Sequence, residues 1–327
     1  MTQRRAGILG LGAYLPEKVL TNQDLERIVD TSDEWIRSRT GIRERRIVEK
    51  GTPTSELARK ASIEAIQSAG LKPTDLDLII LATISPDMIF PATACIVQDK
   101  IGARCPAFDI SAACSGFPYG LAVAEGLVRS GIYKHILVIG AEVISSFINW
   151  KDRSTCVLFG DGAGAAVVGE TKDGHGILAT HLGSDGGQAK LLQIPAGGSA
   201  IPTSRDSVEA GLHYVQMEGS EIFKAAVRTM SDSIVEVTKK SGFKLDEIDC
   251  FIPHQANLRI LTAVSERTGI PFEKIFINLD RYGNMSAAST AVALYEAVKQ
   301  GKIKKGSKVV LVAFGSGLTW AACTLRW

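Results

Sequence analysis

The sequence lacks several features that would assign it to common classes of protein. Of its 327 residues, 37 are Lys or Arg and 35 are Asp or Glu, so the net charge is only +2. Nucleic-acid-binding proteins usually show a basic excess or a basic stripe, and we therefore expect no nucleic-acid partner. The chain also has no run of about 18 apolar residues, the length that a membrane-spanning helix needs. No membrane partner is expected either.

Cysteines are few and far apart in the chain. The six lie at positions 95, 105, 114, 156, 250 and 323. They form no CxxC pair and no tight cluster, which argues against a zinc site or a redox pair. Reduced thiols in a cytoplasm are the expectation. Because a free cysteine commonly behaves as a small buried apolar residue, any chemical role needs support from its surroundings.

The first residues, MTQRRAGILGLGAYLPEKV, place two arginines before a short apolar run. A secretory signal has a similar beginning, but this run is rich in glycine and breaks at Pro16, and Glu17 and Lys18 follow at once. We interpret the segment as a first β-strand, which agrees with a cytoplasmic protein.

Strand-like apolar runs alternate with helical patterns along the chain, which favours an α/β fold. The clearest predicted strands are Leu78–Ala82, His135–Gly140, Ala163–Gly169, Cys250–Ile252 and Val309–Ala313. The clearest predicted helices are Glu56–Ala69, Cys114–Arg129, Ser220–Lys240, Leu258–Arg267 and Ser286–Lys299.

The chain also resembles itself at a long spacing. LKPTDLDLII at 71–80 resembles FKLDEIDCFI at 243–252, SAAC at 111–114 resembles SAAS at 286–289, and HILVIGA at 135–141 resembles KVVLVAF at 308–314. The three matches occur in the same order at similar offsets, which predicts two duplicated halves. We place the halves at 1–172 and 173–327, with the boundary in the turn-like TKDGHG, and expect an active site between them.

Cys114 lies where an apolar strand leads through small residues into a long helix, in FDISAACSGFPYGLAVAEGLVRSG. Free N–H groups and the helix dipole favour an anion at a helix start, so we expect the pKa of this thiol to be lowered. The arrangement is that of a nucleophile elbow, although GxSxG is absent. The alternative is a buried packing cysteine.

A catalytic thiol usually has a histidine nearby. His254 follows a predicted strand in FIPHQANLRI, at the strand end where α/β proteins place ligands. Asn284 in RYGNMSAAST precedes a helix in the second half, although a helix N-cap alone would explain an asparagine there. The turn in AFGSGLTW could direct backbone N–H groups at a ligand or be a plain hairpin. The other histidines, 135, 175, 181 and 213, lie in turns, at strand edges or in an ambiguous loop.

Six segments together resemble the β-ketoacyl-acyl-carrier-protein synthase III family, the initiating condensing enzymes of bacterial fatty acid synthesis, over nearly the whole chain. They are TSDEWIRSRTGIRERR, DISAACSGF, DRSTCVLFGDGAGAAV, PHQANLR, YGNMSAAS and FGSGLTW. The resemblance implies a thiolase-like α/β fold of five layers, αβαβα, built from two duplicated halves, and a homodimer. It implies a catalytic Cys114, His254 and Asn284. The related elongating enzymes use two histidines, so Asn284 favours the initiating class.

The resemblance also implies a mechanism that needs no metal or redox cofactor. Cys114 takes an acyl group from acyl-CoA, and malonyl-acyl-carrier protein then loses CO2 to give the attacking carbanion. Neutral His254 and the Asn284 amide stabilise the enolate oxygen. Backbone N–H groups of Cys114 and Ser316 form the oxyanion hole. The family often has glycine where Ser316 stands, a change that leaves the backbone donor in place.

Further residues match family positions that bind the substrates. Those expected to contact CoA are Trp35, Arg39, Arg153, Gly219 and Asn257. Phe90 matches a residue that the partner subunit inserts to close the acyl pocket, which favours short acyl chains. Those expected to contact the acidic acyl carrier protein are Gln255, Ala256, Asn257, Leu258, Arg259 and Lys224, the two basic ones by charge steering.

Three alternatives remain open from the sequence. An enzyme with the same fold could transfer the acyl group of Cys114 to an oxygen or nitrogen atom, or it could catalyse a condensation of polyketide synthesis. GLGAYL at 10–15 could be a dinucleotide-binding loop, although Leu15 and Pro16 depart from that motif. The chain could also bind CoA without catalysis.

Overall fold

The alternating strands and helices that the sequence predicts are present in the computed structural model, which describes residues 5–171 and 174–327. The strands are β1 (Arg5–Tyr14), β2 (Val19–Thr21), β3 (Glu44–Arg46), β4 (Leu78–Ala82), β5 (Ala107–Ile110), β6 (His135–Glu142), β7 (Gly162–Thr171), β8 (Gly176–Ser184), β9 (Leu192–Gln193), β10 (Gln216–Met217), β11 (Cys250–Pro253), β12 (Lys308–Gly315) and β13 (Thr319–Arg326). The helices are α1 (Asn22–Glu26), α2 (Asp33–Thr40), α3 (Thr54–Ser68), α4 (Thr93–Ile101), α5 (Gly116–Arg129), α6 (Arg153–Cys156), α7 (Arg205–Glu209), α8 (Gly219–Ser241), α9 (Leu258–Thr268), α10 (Leu279–Tyr282) and α11 (Ala287–Lys299).

The first main sheet has the strand order β1-β7-β6-β4-β5. β4 runs parallel to β5 and β6, whereas β7 runs antiparallel to both β6 and β1. β4 and most of β6 are fully buried. Helices on both faces account for such continuous apolar strands.

The second main sheet repeats that order as β8-β13-β12-β11, with the same parallel and antiparallel pairings. The place of β5 is taken by a single parallel bridge between Phe251 and Ile275. The predicted duplication is therefore confirmed as a property of the fold. The predicted boundary between 172 and 173 falls on two residues outside the described part of the chain and stays a prediction.

Five layers stack on one another. α3 and α4 cover the outer face of the first sheet, and α8, with α9 packed against it, covers the outer face of the second. α5 and α11 contact each other and both sheets, so they form the central layer. The predicted αβαβα architecture is confirmed. No helix within the described ranges has both the length and the apolar character needed to cross a membrane.

The glycines of GLGAYL pack a strand against a helix. Gly10 and Gly12 lie inside β1, not in a strand-to-helix turn. A Cβ atom on Gly12 would overlap the backbone of Ala61 and Ala65 in α3. Close helix–strand packing therefore explains these glycines, and the dinucleotide-loop interpretation is wrong.

Candidate active site

Cys114 lies in a single 3-10 turn, Ala113–Ser115, between β5 and α5. The helix was predicted to begin at Cys114, but α5 begins at Gly116. Ala113 just before the cysteine has φ of 46°, a value that non-glycine residues rarely adopt. Such strained backbone positions cluster at functional sites.

The expectation of a lowered thiol pKa is wrong. The pKa of Cys114 is raised to about 12, mainly by burial, and the nearby Glu142 carboxyl acts in the same direction. The Ser286 hydroxyl and the cysteine's own backbone N–H act in the opposite direction but are outweighed. Removal of the sulfur from water disfavours the thiolate more than the helix start favours it.

His254 lies just after β11, and its backbone N–H donates to the Val312 carbonyl at 2.7 Å. Burial lowers the pKa of its imidazole to about 3, so the ring is neutral at physiological pH. Its Nδ1 atom has no hydrogen-bond partner among the described residues. A neutral imidazole can donate one hydrogen bond to a developing oxyanion.

Asn284 is fixed by its neighbours in one orientation. Its backbone N–H donates to the Leu158 carbonyl, and its carbonyl accepts from the Gly160 N–H. The side-chain Oδ1 accepts from the Ser286 N–H at 2.8 Å. Because the amide oxygen is occupied, the amide NH2 group remains as the available donor.

Two cavities meet at Cys114. The inner cavity, about 240 Å³, is mostly apolar; Ile84, Ile144 and Val215 are in its wall, and so is Ser286. The outer cavity, about 660 Å³, is lined by His254 and Asn284 near Cys114 and extends to exposed residues at the surface. Cys114 therefore lines both cavities.

The AFGSGLTW segment forms a tight connection between β12 and β13 that touches the nucleophile. A Cβ atom on Gly315 would lie 2.6 Å from the Cys114 backbone nitrogen, so only glycine fits there. Ser316 follows and lines the inner cavity. Its hydroxyl donates to the Leu192 carbonyl, which explains how serine is accommodated in this turn.

Most residues expected to bind CoA lie around the outer cavity. Trp35, Arg39, Gly219 and Asn257 line it. The Arg39 guanidinium lies 5.1 Å from the Trp35 ring centroid, and that of Arg153 lies 4.7 Å from it. Arg153 is thus beside the cavity, although its neighbour Ser154 is the residue that lines it.

The segment expected to contact the carrier protein divides into exposed and buried parts. Arg259 and Lys224 are exposed at the outer cavity. Ala256 lines that cavity, and Asn257 caps α9 by accepting from the Arg259 N–H at 2.9 Å. Leu258 packs against Gly41 at the end of α2.

Gln255 must be removed from the set of residues expected to contact the carrier protein. It is 0% exposed, and its amide donates to the carbonyls of Pro253 and Phe276 and accepts from the Asn278 N–H. A side chain with all these bonds inside the protein cannot contact a docked carrier protein. It holds the loop that carries His254.

Phe90 lies away from both cavities of its own chain. It is 81% exposed and Ile89 is 80% exposed, so the two form an apolar tip on the surface. The histidines that the sequence set aside, 135, 175, 181 and 213, also lie outside both cavities.

Two polar residues near Cys114 did not emerge from the sequence. Glu142 is fully buried at the end of β6, and Ser286 is buried at the start of α11. The only signal for Glu142 was a charged residue closing the apolar strand HILVIGAE. Ser286 belongs to the repeat that the sequence showed, but its contacts with the other half were not visible there.

Comparisons with known proteins identify the family. Two family profiles match, 3-oxoacyl-[acyl-carrier-protein] synthase III over residues 108–186 and its C-terminal counterpart over residues 238–327. A beta-ketoacyl-[acyl-carrier-protein] synthase III from Caldanaerobacter subterraneus subsp. tengcongensis is 58% identical, with 98% of each chain covered. One from Clostridioides difficile is 55% identical over 99% of this chain and 98% of the relative.

Solved structures agree with these relatives. The crystal structure of 3-oxoacyl-[acyl-carrier-protein] synthase III from Aquifex aeolicus VF5 superposes with a TM-score of 0.91 at 50% identity, covering 98% of this chain and 100% of that chain. Sequence and structure thus agree over nearly the whole length, and the chain belongs to the β-ketoacyl-acyl-carrier-protein synthase III family.

Proposed function

We propose that this chain catalyses the initiating condensation of fatty acid synthesis. A short acyl-CoA, acetyl-CoA or a small branched primer, and malonyl-acyl-carrier protein give 3-oxoacyl-acyl-carrier protein, CoA and CO2. One observation carries the proposal: Cys114 lies where a small apolar cavity meets a larger one that reaches the surface. The small cavity suits an acyl chain, and the larger one suits the long arm of CoA or of the carrier protein.

The first half-reaction loads the cysteine. The Cys114 sulfur attacks the thioester carbonyl, the tetrahedral oxyanion accepts hydrogen bonds from the backbone N–H groups of Cys114 and Ser316, and CoA leaves. Gly315 supports this geometry because it lets the turn approach the cysteine closely. Preorganised donors of this kind typically contribute a factor of about 100 to 1,000 in rate each.

The second half-reaction forms the carbon–carbon bond. Malonyl-acyl-carrier protein enters the outer cavity and loses CO2, and its enolate oxygen accepts hydrogen bonds from neutral His254 and the Asn284 amide. The carbanion then attacks the acyl-Cys114 carbonyl. The low pKa of His254 supports its role as a neutral donor. Since loss of CO2 drives the step, the proposed reaction needs no metal or redox cofactor.

The outer cavity also fits the expected contacts with each substrate. The adenine of CoA would stack on Trp35 between Arg39 and Arg153, with Gly219 and Asn257 along the arm. Lys224 and Arg259 would attract the acidic carrier protein. We place the reaction in the cytoplasm, which six free cysteines support.

Intact-protein mass spectrometry tests the proposal. Wild-type protein mixed with acetyl-CoA should gain one acetyl group, and Cys114→Ala should gain none. Malonyl-acyl-carrier protein should then discharge the adduct with release of CO2. Discharge to an alcohol or amine without CO2 release would instead establish an acyltransferase, and no adduct with any short acyl-CoA would refute the proposal.

A further inference from the structure

Glu142 is a buried carboxyl beside the nucleophile that the proposed mechanism does not use. It is 0% exposed, and no lysine or arginine of the described residues forms an ion pair with it. Burial raises the pKa of its carboxyl to about 7. An unpaired buried charge is costly, so this residue calls for an explanation.

The two oxygens of Glu142 have different surroundings. Oε2 accepts hydrogen bonds from the Thr83 hydroxyl at 3.0 Å, from the N–H groups of Ile84 and Ser85 at 3.1 Å each, and from the Ser85 hydroxyl. Oε1 has only a 3.3 Å contact with the Ile84 N–H. Oε2 therefore anchors the carboxyl, and Oε1 keeps a lone pair free to accept a proton.

Close packing brings the start of α11, whose N-cap residue is Ser286, near the elements that carry this carboxyl and the cysteine. A Cβ atom on Gly140, near the end of β6, would overlap the carbonyl oxygen of Ala287. A Cβ atom on Gly116, at the start of α5, would lie 3.4 Å from the Ala287 Cβ. The start of α11 is thus held against the strand that carries Glu142 and against the helix that follows Cys114.

The Ser286 side chain lies near both groups. It lines the inner cavity with Cys114, and it lowers the pKa of the Cys114 thiol and of the Glu142 carboxyl. The Ser286 hydroxyl forms no full hydrogen bond with Cys114 or Glu142, and it has no other partner among the described residues. Its φ of 47° shows that the backbone is strained to hold it there.

His254 is a poorer proton acceptor than Glu142 for this thiol. The pKa of the imidazole is about 3, whereas that of the Glu142 carboxyl is about 7. Proton transfer is most effective when the pKa of the base lies near the working pH. A carboxylate reached through one hydroxyl meets that condition.

We infer that Ser286 and Glu142 form a proton relay for Cys114, an inference that rests on the proposed function. As the sulfur attacks the acyl-CoA carbonyl, the S–H bond breaks and its proton passes to the Ser286 oxygen, while the hydroxyl proton of Ser286 moves to Oε1 of Glu142. When the C–S bond to CoA breaks, the same path returns a proton to the departing sulfur. Overall, the acyl group moves from CoA to Cys114, and a proton moves from Cys114 to CoA.

Two substitutions test the relay. Glu142→Gln can keep its amide oxygen where Oε2 accepts the four donors, but it presents NH2 instead of an acceptor to Ser286. Ser286→Gly removes the hydroxyl and suits the positive φ. The matched control is Thr290→Val, which removes another buried, unpartnered hydroxyl from the same helix outside both cavities.

The rate of acetyl transfer from acetyl-CoA to Cys114 is measured by rapid quench and intact mass, with Tm as the check on folding. Both variants should acylate about 100-fold more slowly than wild type, and the control should match wild type. Once fully acylated by long incubation, both variants should condense with malonyl-acyl-carrier protein at near the wild-type rate, because the relay serves only the loading step.

Wild-type acylation rates in a folded Glu142→Gln or Ser286→Gly protein would overturn the relay while leaving the proposed function intact. Equal losses in acylation and condensation would also overturn it, since they would show a structural role. If Glu142→Gln does not fold, the Ser286→Gly result decides. Failure of the wild-type protein to acylate would instead refute the proposed function.

Discussion

At the residue scale, burial sets the charge state of the site. It raises the pKa of the Cys114 thiol to about 12 and lowers that of the His254 imidazole to about 3. Desolvation disfavours the charged form of each group. The resting site therefore contains a neutral thiol and a neutral imidazole, not a thiolate–imidazolium pair.

The depressed pKa of His254 predicts how stability depends on pH. Between its unfolded pKa of 6.5 and the folded value of about 3, the unfolded chain binds more protons, so acid favours unfolding in that window. From pH 7.5 to 5, the free energy of unfolding of wild type should fall by about 2 kcal/mol more than that of His254→Leu. Urea unfolding at the two pH values measures the difference.

The internal control for that experiment is the range from pH 7.5 to 8.5, where His254 is neutral in both states and the two proteins should respond alike. An equal fall in stability for both proteins between pH 7.5 and 5 would contradict the burial effect on this histidine.

The sequence identified Cys114, His254 and Asn284, and the structure brings them together around the two cavities. Each lies at the end of a strand or the start of a helix in a segment whose residue types are distinctive. Glu142 was missed because its buried surroundings are formed by hydrogen bonds with residues almost 60 positions earlier. Local sequence carries no signal for such contacts.

At the element scale, long periodic segments were predicted well and short ones were not. β4 has the predicted bounds, and α9 extends the predicted Leu258–Arg267 by one residue. Short elements such as α6, α7 and α10 were not predicted, since four or five residues are too few to show a helical period. The start of α5 was predicted too early because the strained Ala113 delays the helix.

The structure also corrects the alignment of the repeat at these helix starts. The sequence matched SAAC with SAAS, which pairs Cys114 with Ser289. In the fold, Ala113 and Ser286 occupy equivalent places, each with positive φ at the start of a helical segment. Three consecutive small residues can be aligned in more than one register, and only the backbone conformation distinguishes them.

The packing of β1 on α3 predicts the effect of adding a methyl group at Gly12. Gly12→Ala should destabilise the protein by several kcal/mol or prevent folding, because the new Cβ would overlap helix backbone that cannot easily move. Gly126→Ala, the matched control, adds a methyl group where nothing lies within 4 Å. It should raise the free energy of unfolding by about 0.5–1 kcal/mol through helix propensity. Chemical unfolding measures both, and a neutral Gly12→Ala would contradict the close packing.

At the scale of the whole molecule, the exposed tip formed by Ile89 and Phe90 agrees with the homodimer that the family resemblance implies. Both side chains are large and apolar and about four-fifths exposed. Adjacent exposed apolar residues mark interaction sites more often than single exposed ones do. The tip belongs to neither cavity of its own chain, which agrees with a role in closing the acyl pocket of a partner.

Phe90→Asp tests that assembly. Wild type should sediment at about twice the chain mass of 35.0 kDa, and the charged variant should shift toward the monomer because burying an unpaired carboxylate is costly. Val208→Asp, at another exposed apolar position, is the control and should sediment like wild type. A monomeric wild type, or a Phe90→Asp dimer of undiminished stability, would count against the proposed interface.

The central layer makes the two halves of the chain depend on each other. α5 and α11 come from different halves, and each packs on both sheets, so each half completes the interior of the other. The reacting groups are divided in the same way: the first half carries Cys114, and the second half carries His254 and Asn284. Neither half alone therefore has both a complete interior and a complete set of reacting groups.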